Sequence, residues 1–151
     1  MTTDTGIVAF LNARLDEEEA GALASGADDL ARSWTGSDNG YEGAGEVTDG
    51  HGEMVVYDEG RPDTAQALHI ARHDPARVLR EVEAKRAILA AHGPDPTGKF
   101  GSDGQPRCLV CLTDRDGYEE QWEADEWPCL TLRSVAAIWS DHPDYDREWA
   151  L

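Results

Sequence analysis

Three cysteines are the residues in this chain best suited to chemistry, and they fall in one region as Cys108-x2-Cys111-x17-Cys129. Two thiolates three residues apart with a third returning later suit a tetrahedral zinc ion, and one more ligand would close the site. His92 is the favoured fourth ligand, because the Gly/Pro-rich segment 93–107 can fold back and bring it beside the CxxC; His142 is the alternative. His69 and His73 lie one helical turn apart and could also face a metal, although His73 serves equally well at the end of its helix. The competing reading of the cysteines is three reduced, partly buried thiols, since cysteine packs well as a small apolar residue. CLVC also lacks the glycine that usually follows the second cysteine of a zinc knuckle. A redox CxxC is the weaker third reading, because such motifs open a helix within a βαβ unit.

A second constellation pairs His51-Gly52-Glu53 with Pro106-Arg107-Cys108-Leu109-Val110-Cys111, close to the H-x-E…P-C-x-x-C pattern of zinc deaminases. Arg107 breaks the Pro–Cys adjacency, and His51 stands in a glycine-rich turn where the pattern requires a helix start. TGKFGS at 97–102 lacks the glycine spacing of a phosphate loop, HIARH is not HExxH, and no serine has a nucleophile elbow around it. Trp34, Trp122, Trp127, Trp139 and Trp149 could form an aromatic surface, but such residues more often fill a core or pin a loop.

These residues need elements to hold them. Residues 4–32 read as helix, with Asp4 as N-cap and an apolar stripe of Ile7, Val8, Leu11, Leu15, Ala22, Leu23 and Leu30; Gly21 and Gly26 predict a break. EVTDGHGEMVVYDE at 46–59 reads as two strands around a DGHG turn, with Trp34 and Tyr41 packed on or near the ribbon. A helix capped by Asp63 or Thr64 stops at Asp74, and a second begins with Asp74 as cap and Pro75 at its first position. Its buried stripe is Val78, Leu79, Val82, Ile88 and Leu89, with Glu81 facing Lys85, and Gly93-Pro94 ends it. A last helix starts at Cys129 with Leu130, Leu132, Val135, Ala136 and Trp139 inward, followed by a short turn at DYDREW. The expected fold is a mostly helical α+β single domain over 1–151: an N-terminal helical segment (1–32), a β-ribbon region (33–62), helices (63–92) and a zinc-pinned, cysteine-containing C-terminal lobe (93–151).

HIARHDPARVLREVEAKRAILAAH, the CxxC, WPCLTLRSVA, DHPDY with a nearby tryptophan, and the N-terminal IVAFLNARLDEEE together resemble a family of small proteins from actinobacteria and the phages that infect them. The resemblance covers residues 7–20 and 69–149. It implies an architecture and carries no activity.

The 151 residues hold 31 acidic and 13 basic side chains, a net charge of −18. Direct binding to DNA, RNA or an anionic membrane is disfavoured, because those contacts depend on cations neutralising phosphate. The acidity is read first as a solvated, solubilising surface, then as a match for a partner protein with a basic face, and third as mimicry of nucleic acid before a DNA-binding protein. The opening MTTDTGIVAFLNARLDEEE has no basic n-region, so no signal peptide is expected and the cytoplasm is the expected location. The functional expectation is a non-enzymatic interaction or regulatory module with a structural zinc. The alternatives are a nucleic-acid mimic and a small zinc-dependent hydrolase or deaminase.

Overall fold

The computed structural model describes residues 5–56, 62–95, 106–114 and 122–151 and is α+β. In chain order the elements are α1 (Thr5–Ala24), β1 (Trp34–Asp38), β2 (Gly45–Asp49), α2 (Thr64–Arg72), α3 (Pro75–Ala91), β3 (Arg107–Asp114), β4 (Trp122–Glu126) and α4 (Leu130–Ala136). Single 3-10 turns follow at Ala137–Trp139 and Arg147–Trp149. Two compact units result, one of residues 1–15 and 84–151 and one of 16–83, with boundaries inside α1 and α3. Among the described residues no helix is long and apolar enough to cross a membrane.

In the 16–83 unit a hairpin lies on α2. β1 and β2 pair antiparallel, with Gly36 opposite Val47 and Asp38 opposite Gly45, and Val47 is fully buried. The close approach to α2 demands glycine. A Cβ on Gly36 would stand 2.6 Å from the Ala67 carbonyl oxygen, and one on Gly45 would stand 2.5 Å from the Ala67 Cβ. The helix starts with a capping box: Asp63 accepts from the Gln66 N–H, and the Gln66 side chain accepts from the Asp63 N–H.

Here the ribbon differs from its sequence reading. The strand partner of β2 is the preceding WTGSD rather than the residues after the DGHG turn. Among the described residues, those after the turn contribute the Thr48–Met54 bridge, the bond from the Val55 N–H to the Val47 carbonyl and the bond from the Asp49 N–H to the Glu53 carbonyl. Tyr41 is exposed instead of packed, and Trp34 is itself the first residue of β1. After Ala24 the chain runs through turns without a second helix, leaving Leu23 and Leu30 exposed. The proposed Asp4 cap lies outside the described residues.

Asp74 does two jobs in this unit. Its Oδ1 accepts from the Arg77 N–H at 2.7 Å, which is the N-cap bond of α3, and its Oδ2 accepts from the Trp34 N–H at 3.2 Å, which fixes the start of β1. Glu81 meets Arg77 at 2.6 Å, one turn back on α3. Of the α3 stripe only Val82 is fully buried, while Val78, Leu79, Ile88 and Leu89 are half-buried. The DGHG turn is tied down by His51, whose Nε2 lies 3.0 Å from Asp28 Oδ1.

In the unit of residues 1–15 and 84–151, the start of α1 supplies Ile7, Phe10 and Leu11 to a core with Trp127, Leu132 and Ala136. The Phe10 ring is surrounded by Trp139, His142, Tyr145 and Trp149, with centroids 5.2 to 6.5 Å away. Arg133 of α4 donates to the Trp149 and Ala150 carbonyls and so holds the C-terminal turn. Leu130 is exposed, contrary to the inward placement expected. It sits about 200° around the helix from the buried Leu132, so the two cannot share a face.

Two predictions follow from these contacts. Asp74→Ala removes both the cap and the β1 anchor, and should lower stability by about 1–2 kcal/mol in a denaturant titration; an unchanged midpoint would refute the double role. The second concerns His51 and Asp28. Their mutual hydrogen bond raises the His51 pKa above its usual 6.5. The Ala31 N–H and then His51 hold Asp28 below its usual 3.8. The His51 contribution is complete below pH 6.5 and is lost as pH rises through the raised value. The Asp28 contribution is present above 3.8 and is lost as pH falls through the lowered one. The tie between the turn and the 25–33 segment is therefore strongest between those limits. An NMR titration should find His51 titrating above 6.5 and moving down toward it in Asp28→Asn; identical curves in the two proteins would contradict the pairing.

Candidate metal centre

The site is assembled from the end of one helix, one strand and the start of another helix. His92 extends α3 by one residue, its N–H bonding to the Ile88 carbonyl at 3.0 Å. Gly93-Pro94 then turns the chain away, as the sequence predicts. Pro94 bridges to Cys108, and the Asp95 N–H donates to the Arg107 carbonyl at 2.7 Å, so the helix end is held directly against β3. From the other side the Trp127 indole N–H donates to the His92 carbonyl at 2.8 Å, and the Trp127 backbone N–H donates to the Pro106 carbonyl. Trp127 is buried, so the tryptophan flanking Cys129 pins the backbone of the histidine.

The CxxC occupies β3, which the sequence did not reveal as a strand. Residues three apart on a regular strand point to opposite faces. The pairing of β3 with β4 resolves this. Arg107 lies opposite Glu126 and Leu112 opposite Ala124, so five steps along β3 match two along β4, and the excess falls across Cys108–Cys111. That bulge changes the parity of the strand and lets both sulfurs reach one side. Cys129 is the N-cap residue of α4 with extended backbone (φ −67°, ψ 165°), and its side chain makes no capping hydrogen bond. Its sulfur is directed into the cluster instead.

The result is four donor atoms in one place. His92 Nδ1 lies 3.3 Å from Cys111 Sγ, 3.6 Å from Cys108 Sγ and 3.6 Å from Cys129 Sγ, and all four atoms lie within 4.8 Å of one another. The cysteines form no disulfide; Cys108 and Cys129 are buried and Cys111 is half-buried. Burial pushes the Cys129 thiol up to about 11, with Cys111 and Cys108 adding to the rise and the Leu132 N–H opposing it. Without a cation the pocket therefore disfavours a thiolate at Cys129, and a bound divalent ion would reverse that balance. These four residues could hold a metal ion, and among the described residues they are the one such His/Cys/Asp/Glu group.

A family model matches residues 4–151. The chain belongs to the family of unknown function DUF6221. The DUF6221 match spans all four donors and also runs through 33–62, beyond the segments on which the sequence resemblance rests. No curated protein and no solved structure matches the chain.

The other candidates fall elsewhere. His142 packs edge-on to Phe10 and accepts from Arg14 at 2.8 Å. His69 of α2 and His73 at its C-cap lie ring to ring, with centroids 4.6 Å apart and planes tilted by 49°. His51 pairs with Asp28 and is not among the four. Of the tryptophans, Trp127 belongs to the core and Trp139 and Trp149 pack against it; the Trp122 side chain lies outside the described residues.

Proposed function

We propose that the chain is a non-catalytic interaction domain pinned by one structural zinc ion, held by Cys108, Cys111, Cys129 and His92. The supporting observation is a single ring nitrogen nearly equidistant from three sulfurs. A tetrahedron with Zn–S of about 2.3 Å and Zn–N of about 2.0–2.1 Å has N···S edges of roughly 3.6 Å. The observed 3.3–3.6 Å matches that figure. Hydrogen bonding accounts for it less well, because an N–H lies along one line and serves one acceptor, or two when bifurcated. Thiolate and imidazole donors favour zinc over magnesium or calcium, which take oxygen. Four protein donors also fill the coordination sphere, whereas a catalytic zinc keeps a position for water.

Protein purified without chelator should carry about one zinc per chain in elemental analysis. Cys129→Ser should abolish retention. His92→Ala should weaken zinc binding and lower the unfolding midpoint, whereas His142→Ala should leave the metal content at the wild-type level. Metal-free protein with three titratable thiols would overturn the reading.

For the partner, the net charge of −18 supports a protein with a basic surface over nucleic acid or anionic lipid. A pull-down from host lysate should retain such a protein at low salt and release it as ionic strength rises. Retention mainly of nucleic-acid-binding proteins would favour mimicry instead, and an empty bait at low salt would remove the partner proposal.

A further inference from the structure

We propose that the cluster is a thiol switch that opens at Cys111, releasing its metal when a peroxide oxidises that sulfur. The inference rests on the zinc reading above and adds a modification site and a class of co-reactant to it.

The three sulfurs are not equivalent. Cys108 is 0% exposed and Cys129 1%, both sealed in the core with Leu11, Leu132 and Ala136, while Cys111 is half-buried and follows the exposed Val110. Across this bulge the first cysteine of the CxxC is buried and the second half-buried. The Thr131 hydroxyl lies 3.6 Å from the Cys111 sulfur. A structural zinc site with every thiolate buried is shielded from oxidants; here one corner of the tetrahedron is open. Oxidation of a cysteine follows thiolate character and access together. Zinc would supply the first at all three sulfurs, and the fold supplies the second at one.

The chemistry closes with hydrogen peroxide as the two-electron oxidant. The Cys111 thiolate attacks one peroxide oxygen, an S–O bond forms, the O–O bond breaks, and hydroxide leaves to be protonated by solvent. This yields the sulfenic acid. The thiolate of Cys108 or Cys129, each with its sulfur within 4.8 Å, then attacks the Cys111 sulfur. The S–S bond forms, the S–O bond breaks, and a second hydroxide leaves. Two thiolate ligands become one disulfide, only one thiolate and His92 remain, and the ion dissociates. A dithiol reductant and fresh zinc reverse the change.

The test uses zinc-loaded full-length protein. On titration with hydrogen peroxide, a chromogenic zinc indicator should report loss of the metal. A sulfenic-acid trap read by mass spectrometry should mark Cys111 first. Dithiothreitol with added zinc should restore the starting state. Without oxidant, N-ethylmaleimide should label Cys111 before Cys108 or Cys129. Cys111→His replaces the rim sulfur by a ligand that cannot be oxidised in this way, and should keep zinc under peroxide; should that variant fail to fold, the order of labelling in the unaltered chain decides alone. Zinc retained through peroxide treatment, or first modification at Cys108 or Cys129, would overturn the switch and leave the structural zinc standing. Protein that carries no zinc would remove both.

Discussion

One imidazole nitrogen close to three sulfurs is the constraint on which the end of α3, β3 and the start of α4 converge. His92 Nδ1 meets Cys108, Cys111 and Cys129 at 3.3–3.6 Å, which brings the end of α3, the middle of β3 and the start of α4 to a single point. Each element yields something to this. Cys129 gives up the N-cap hydrogen bond that serine or aspartate would make. β3 gives up part of its ladder in the bulge. Both concessions cost stability on their own, and both are understandable once the sulfurs are ligands of a common ion. Separately placed apolar thiols would need neither.

The surroundings reinforce the same point. Trp127 holds the His92 carbonyl, so the histidine backbone is fixed independently of its ring. Leu132 and Ala136 continue from Cys129 along the inner face of α4 and join Ile7, Phe10 and Leu11. The aromatic group around Phe10 closes the other end, with Arg133 retaining the C-terminal turn through the Trp149 and Ala150 carbonyls. A cluster of three sulfurs and one ring nitrogen is small beside this apolar core. With a metal bound, its effect would be on specificity, because the ion would tie the register of β3 to the phase of α4.

The sequence was most informative where a local rule acted alone. Asp63 and Asp74 with Pro75 announced the starts of α2 and α3, because capping depends only on neighbouring residues. His92 could be matched to the cysteines because the Gly/Pro-rich 93–107 segment after α3 can fold back and bring it beside the CxxC. Where non-local pairing decided the outcome, the sequence was less readable. WTGSD has little β propensity, yet it becomes β1 because Gly36 and Gly45 allow the hairpin to approach Ala67 closely. RCLVCLTD was given no element in the sequence reading, because its bulge, which depends on β4, appears in no local pattern. Leu130 was placed inward by composition, whereas the helical phase set from Cys129 puts Leu132 inside and turns Leu130 out.

The same geometry bears on how an ion could enter and leave. A site sealed on all sides exchanges its metal only when the surrounding fold opens, so its kinetics follow the stability of the core. Cys108 and Cys129 are buried in the core, while the half-buried Cys111 packs against it, so of the three proposed ligands Cys111 would be the first to detach. Detachment there lowers the coordination number while His92 remains braced by Trp127, so the three remaining donors stay in place. The proposed ion would then be held thermodynamically by four ligands but gated kinetically by one. That division would separate a structural role of the cluster, carried by the two buried sulfurs and the histidine, from a reactivity carried by Cys111.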